Sequence, residues 1–100
     1  MRFTLTPDAI QAVKGVVSSA GEETETAGLR VTLWSREDGG LVFRLNVVKA
    51  AQSGDLVVET DGARVFLDPD AAEVLDDRSL DAAIGDDKRV AFTFPTGEDG

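Results

Sequence analysis

The chain has 100 residues, 42% of them hydrophobic and 29% charged, with a net charge of −9. That is enough for one domain around one modest core. Cysteine, histidine and tyrosine are all absent, which removes disulfides, thiolate metal sites, cysteine nucleophiles, the commonest general base and the commonest nitrogen ligand. The charge is uneven. Residues 1–54 balance six acids with six bases, whereas residues 55–100 carry thirteen acids and four bases. Such a surface repels phosphate backbones, so neither nucleic acid nor an anionic membrane is an expected partner. No apolar run is long enough to span a bilayer. The first seven residues, Met1 to Pro7, hold no apolar signal core, so the expected location is cytoplasmic.

In chain order, Phe3 and Leu5 alternate with polar neighbours and predict a short strand. Thr6-Pro7-Asp8 predicts a helix start: a capping hydroxyl, a proline at the first helical position, and an acid at the positive end of the dipole. Ile10, Val13, Val16, Val17 and Ala20 recur at helical spacing, and Gly21 is placed to end the helix. A polar connector, Glu22 to Thr26, follows.

Leu29, Val31 and Leu33 alternate with Arg30, Thr32 and Trp34, and Leu41, Phe43, Leu45 and Val47 continue the pattern. The two strands form a hairpin across Ser35-Arg36-Glu37-Asp38-Gly39-Gly40. After a loop over Lys49 to Gly54, residues 56–60 and 63–67 flank Asp61-Gly62. That dipeptide between β-rich runs predicts a type I′ turn, which needs positive φ at both positions. Asp68-Pro69 starts a second helix, with Ala72 and Leu75 as its expected buried residues and Asp76-Asp77 at its end. Leu80 to Ile84 and Val90 to Phe94 are the last two strands, joined by a turn over Gly85 to Lys88, and Pro95 stops the final ladder. The expected architecture is α+β: a curved, mostly antiparallel sheet or sandwich of about seven short strands with two helices, in a single domain over residues 1–95. Residues 96–100 read as a short, flexible acidic tail.

Gly28-Leu29-Arg30-Val31, the Arg36-Glu37-Asp38-Gly39-Gly40 loop, Leu41 to Leu45, Asp61 to Pro69 and Ser79-Leu80-Asp81 form an ordered series. In order and spacing it resembles the HesB-like, or A-type iron–sulfur carrier, family from Leu5 to Phe94. The resemblance implies a HesB-like fold. It also implies a site, because members present a Gly-Gly-Cys-Ser-Gly loop after the Gly-Leu-Arg-Val strand and a Cys-Gly-Cys near the C-terminus. Those three cysteines hold a cluster or iron between protomers. Here the loop cysteine falls on Asp38, the two preceding glycines on Arg36 and Glu37, and the tail Phe94 to Gly100 has no Cys-Gly-Cys.

A carboxylate is a hard ligand suited to Mg²⁺, Ca²⁺ or Mn²⁺, not a substitute in kind for a soft thiolate. The expectation is therefore a non-enzymatic accessory or partner-binding protein, related to iron–sulfur assembly carriers but ligating no cluster and holding no cofactor. Its expected partners are the assembly machinery and, weakly, a second copy of the chain. The alternative is a divalent-cation binder using Asp38 with Glu98 and Asp99. The acidic run from Asp68 to Asp77 reads as a cap and a solvated helix face, since no glycine follows where a calcium loop requires one. Ser18, Ser19 and Ser79 lack a neighbouring base motif, so nucleophilic catalysis has no support. Gly39-Gly40 is too short and too acidic to cradle phosphate. Trp34, on the polar face of its strand, has three readings: it packs beneath a loop, covers the second face of the sheet, or anchors a protein interface, with ordinary packing the first expectation.

Overall fold

Thr6 and Asp68 begin the two helices in the same way. In the computed structural model, which describes residues 3–21, 26–87 and 89–95, Thr6 Oγ1 accepts from the Ala9 N–H at 3.1 Å. Asp68 Oδ1 accepts from the Ala71 N–H at 2.7 Å. Each cap is followed by proline and then an acid, Asp8 or Asp70. The caps satisfy donors that a helix start otherwise leaves unpaired. They fix α1 (Pro7–Ser19) and α2 (Pro69–Val74). Gly21, at φ +75°, closes α1 by donating to the Ser18 carbonyl at 3.0 Å, a left-handed stop that glycine adopts without strain.

Seven strands accompany them: β1 (Phe3–Leu5), β2 (Gly28–Ser35), β3 (Leu41–Val48), β4 (Leu56–Thr60), β5 (Ala63–Leu67), β6 (Arg78–Ile84) and β7 (Val90–Thr93). They form two sheets. One has the order β1-β6-β7 and the other β3-β2-β5-β4. The three local pairs β2–β3, β4–β5 and β6–β7 are antiparallel, as the short connections predict. Two long-range pairs, β1–β6 and β2–β5, are parallel. Asp61 and Gly62 have φ of +50° and +88°, so the β4–β5 turn has the positive φ pair of a type I′ turn.

The core is continuous across both sheets and both helices. It joins Leu5 of β1, Val13 and Val17 of α1, Leu29 and Val31 of β2, Val65 and Leu67 of β5, Leu75 and Leu80. Strand parity then puts Arg30, Thr32 and Trp34 on the face of β2 turned away from this core.

Several positions differ from the pattern reading. Ala20 is exposed at the helix cap, and Ala71 is the fully buried alanine of α2 while Ala72 is half-buried. Leu41 and Ile84 are exposed, because each lies at the end of a strand, past the reach of the core. Strand β6 starts at Arg78, two residues early, since Arg78 and Ser79 pair with Phe3 and Thr4. Phe94 falls just past β7, but its ring still packs on Phe43, with centroids 4.7 Å apart and planes tilted by 48°. That stack ties the end of the three-stranded sheet to β3 of the other.

Candidate functional site

The β2–β3 hairpin positions the candidate residues. Its tip is closed by backbone: the Arg36 N–H donates to the Gly40 carbonyl at 2.7 Å, and the Gly39 N–H to the Arg36 carbonyl at 3.0 Å. Gly39 sits at φ +88°, which explains a glycine there. Asp38 folds back inside this turn. Its Oδ1 accepts from the Gly40 N–H at 2.9 Å, and its Oδ2 accepts from the Arg36 guanidinium. The Gly40 N–H first, then Arg36, holds the Asp38 carboxyl below its ordinary range despite some desolvation. Both oxygens are therefore engaged, and a permanent cation lies beside them. Glu37 is exposed at the apex.

Beneath the tip, on the outer face of β2, Trp34 is 49% exposed. Its Nε1–H donates to Thr32 Oγ1 at 2.8 Å, so the polar edge of the indole is satisfied and the ring is held. The Arg44 guanidinium, one strand over, lies 4.4 Å from the ring centroid, in cation–π range. Register explains the meeting: Thr32 faces Arg44 and Trp34 faces Val42. Trp34, Val42 and Arg44, with Arg36 and Asp38, line a shallow concavity of about 470 Å³. Strand β3 is an edge of its sheet, and the concavity adjoins that edge.

Glu98 and Asp99, the other two cation candidates, lie outside the described residues. No cluster of three or more His, Cys, Asp or Glu side chains arranged to hold a metal occurs among the described residues. Nor is any helix among them long and apolar enough to cross a membrane.

Sequence reasoning missed the pair that fastens the same outer face. Arg30 Nε and Nη2 donate to Asp55 Oδ2 and Oδ1 at 2.9 and 3.0 Å. The Asp55 side chain is fully enclosed, and that of Arg30 is 18% exposed. Asp55 Oδ2 also accepts from the Gln52 N–H at 2.9 Å. Phe66 lies beside Arg30 in the sheet register and is only 2% exposed, although it is on the side away from the helices. Gly28 makes room for its ring: a Cβ there would meet Phe66 ring atoms at 2.9 Å. Nothing in the sequence marks Arg30 and Asp55 as partners across 25 residues.

Comparison with known proteins places this arrangement. A protein in the nifU 5′ region of Cereibacter sphaeroides is 35% identical over 77 residues, 77% of this chain and 71% of that protein. The mitochondrial iron–sulfur cluster assembly 1 homolog of Gallus gallus is 33% identical over 69 residues, 69% of this chain and 51% of its own length. Among solved structures, IscA with its [2Fe-2S] cluster superposes with a TM-score of 0.76 at 25% identity, covering 95% of this chain and 85% of that one. Escherichia coli SufA, involved in biosynthesis of iron–sulfur clusters, gives 0.78 at 24% identity, covering 98% and 82%, a likeness of fold. The model of the iron–sulphur cluster biosynthesis family matches residues 1–97. The chain therefore belongs to the iron–sulphur cluster biosynthesis family, on an α+β fold of the IscA and SufA kind and without a cysteine.

Proposed function

We propose that this protein is a non-enzymatic member of its family that binds a protein partner and ligates no cluster. The observation that carries the reading is the state of Asp38. At the hairpin position where the family resemblance puts a cysteine stands a carboxylate already engaged by Arg36 and Gly40. Iron–sulfur clusters are held by soft, anionic thiolates, and the chain has none. The residues present do not fit a cluster. They also disfavour the divalent-cation alternative at Asp38, because a cation there must displace or approach the Arg36 guanidinium.

What the hairpin offers instead is a rigid aromatic with a cation stacked on it. Trp and Arg are the residues that most often dominate binding energy at protein interfaces. We assign the partner-binding surface to Trp34 and Arg44, and the partner to the iron–sulfur assembly machinery. Weak self-association belongs to the same region, since among the described residues β3 is an edge strand of its sheet.

Anaerobic incubation with iron and sulfide, followed by desalting, tests the first half: a colourless protein is expected, and stable stoichiometric absorption would overturn the reading. Calorimetric titration with Mg²⁺, Ca²⁺ and Mn²⁺ should show no saturable heat. For the second half, affinity capture with the intact protein and with Trp34→Ala should differ in assembly proteins retained. Light scattering on dilution follows the homodimer.

A further inference from the structure

We propose that the groove between α1 and the β4–β5 turn binds a small amphipathic anion: an apolar body bearing one carboxylate. This groove is separate from the hairpin concavity and does not depend on the partner-binding reading. It encloses about 680 Å³, within the range of small-molecule sites. Val13 and Val17 of α1, with Ala27 and Ala63, make its apolar floor. Gln11, Lys14 and Ser18 line it from α1, where the spacing puts them with Gly15 on one helical stripe. Arg64 closes the side from β5.

Two features select the ligand class. The first is charge. The described lining has two cations and no carboxylate, in a chain with 19 acids and 10 bases. Arg64 already pairs with Glu59 at 3.0 Å, so Lys14 is the group assigned to the ligand's carboxylate. Lys14 Cε and Nζ lie 3.8 and 3.9 Å from the point a Gly62 Cβ would occupy, so this side chain reaches from the helix to the turn across the groove. Gln11 and Ser18 add neutral hydrogen-bonding groups beside it.

The second feature is Gly15. A glycine inside a helix weakens it, and such a residue is usually explained by a neighbour that needs the space. Here, apart from its chain neighbours and the helix's own backbone, no atom of the described residues lies within 4 Å of where a Gly15 Cβ would stand. What the missing side chain keeps open is the groove itself.

The probe is decanoate, titrated below its aggregation range into ¹⁵N-labelled protein, with decanol and decylamine as neutral and cationic controls. Saturable amide shifts are expected at Gln11 to Ser18, Ala27 and Gly62 to Arg64. Decanol and decylamine should bind at least ~10-fold more weakly. Lys14→Gln should weaken decanoate by a similar factor while leaving decanol unchanged. Gly15→Leu should abolish the shifts while melting no lower than the parent protein; Gly15→Ala, which helix propensity also favours, is the second variant and should weaken them. The proposal is overturned by absence of saturable shifts, by shifts centred elsewhere, or by decanol binding as tightly as decanoate. Unchanged binding in both Gly15 variants would overturn it too.

Discussion

Arg30 and Asp55 form a two-pronged ion pair, at 2.9 and 3.0 Å, across the outer face of the four-stranded sheet. It ties the residue just before β4 to the first half of β2. Removing one partner leaves the other charge sheltered and unpaired, which costs about 3–5 kcal/mol when burial is complete. Arg30 keeps some solvent contact, so Asp55→Ala should cost about 2–4 kcal/mol in urea unfolding. Asp55→Asn, which retains a hydrogen-bonding shape, should cost less.

The same pair sets an acid limit. Arg30, and then the Gln52 N–H, holds the Asp55 carboxyl below its ordinary value, against desolvation that pushes it up. In the unfolded chain an aspartate titrates at about 3.9. The folded form thus resists protonation more than the unfolded form does. Its contribution is complete above about pH 4 and is lost as pH falls through the depressed folded value. Asp81, lowered by the Thr6 hydroxyl and the Ala82 N–H, acts in the same direction. Melting temperature should fall steeply below about pH 4 in the parent, and more gently in Asp55→Asn.

Gly28 is a packing glycine. A Cβ there would lie 2.7 Å from the Arg64 carbonyl oxygen and 2.9 Å from the Phe66 ring. Since the oxygen belongs to the backbone of β5, it cannot rotate away. Gly28→Ala should therefore destabilise by about 1–3 kcal/mol, measured by denaturant unfolding, even though alanine suits an ordinary strand better than glycine.

Gly62 is a conformational glycine instead. No neighbour crowds it closely, but its φ is +88°. Gly62→Val forces a β-branched residue into left-handed space and should cost about 1–3 kcal/mol. An unchanged melting temperature would remove the type I′ assignment.

The excess charge predicts a salt response. Asp55, Glu59 and Asp87 have arginine partners within 4.0 Å, yet residues 55–100 carry the whole net −9. Screening relieves the repulsion that this excess of like charge creates. The melting temperature should rise as monovalent salt is added from a few millimolar, and a flat curve would show the acids already balanced.

Local chemistry explains what could be read in advance. Thr6-Pro7-Asp8, Asp68-Pro69 and Asp61-Gly62 each act within four residues, so caps and turn follow from the sequence directly. The parallel pairs were not legible, because β1 meets β6 and β2 meets β5 only after intervening elements have folded back. Phe66 was ambiguous for another reason. Val65, Phe66 and Leu67 are three apolar residues in a row, which blurs the alternation that assigns a face. At the hairpin, Asp38 was singled out by the family resemblance. Its Arg36 and Gly40 partners were not, since they depend on how the turn curls. The groove beside Gly15 had only one trace, a glycine inside an otherwise regular helical pattern.

Among the described residues strand β1 has a single sheet neighbour, β6, and the contact beside it, Thr6 to Asp81, spans 75 residues. During synthesis the chain emerges at about 5–20 residues per second, so Phe3 and Leu5 wait several seconds before their pairing partners exist. In that interval residues 28–67 already hold every strand of the four-stranded sheet. Joining the first strand to a late one is then a long loop closure, the slow kind of contact in a small domain. An N-terminal fusion that holds β1 back would delay that closing step and leave Leu80 uncovered, while the β2–β3 and β4–β5 hairpins form on schedule.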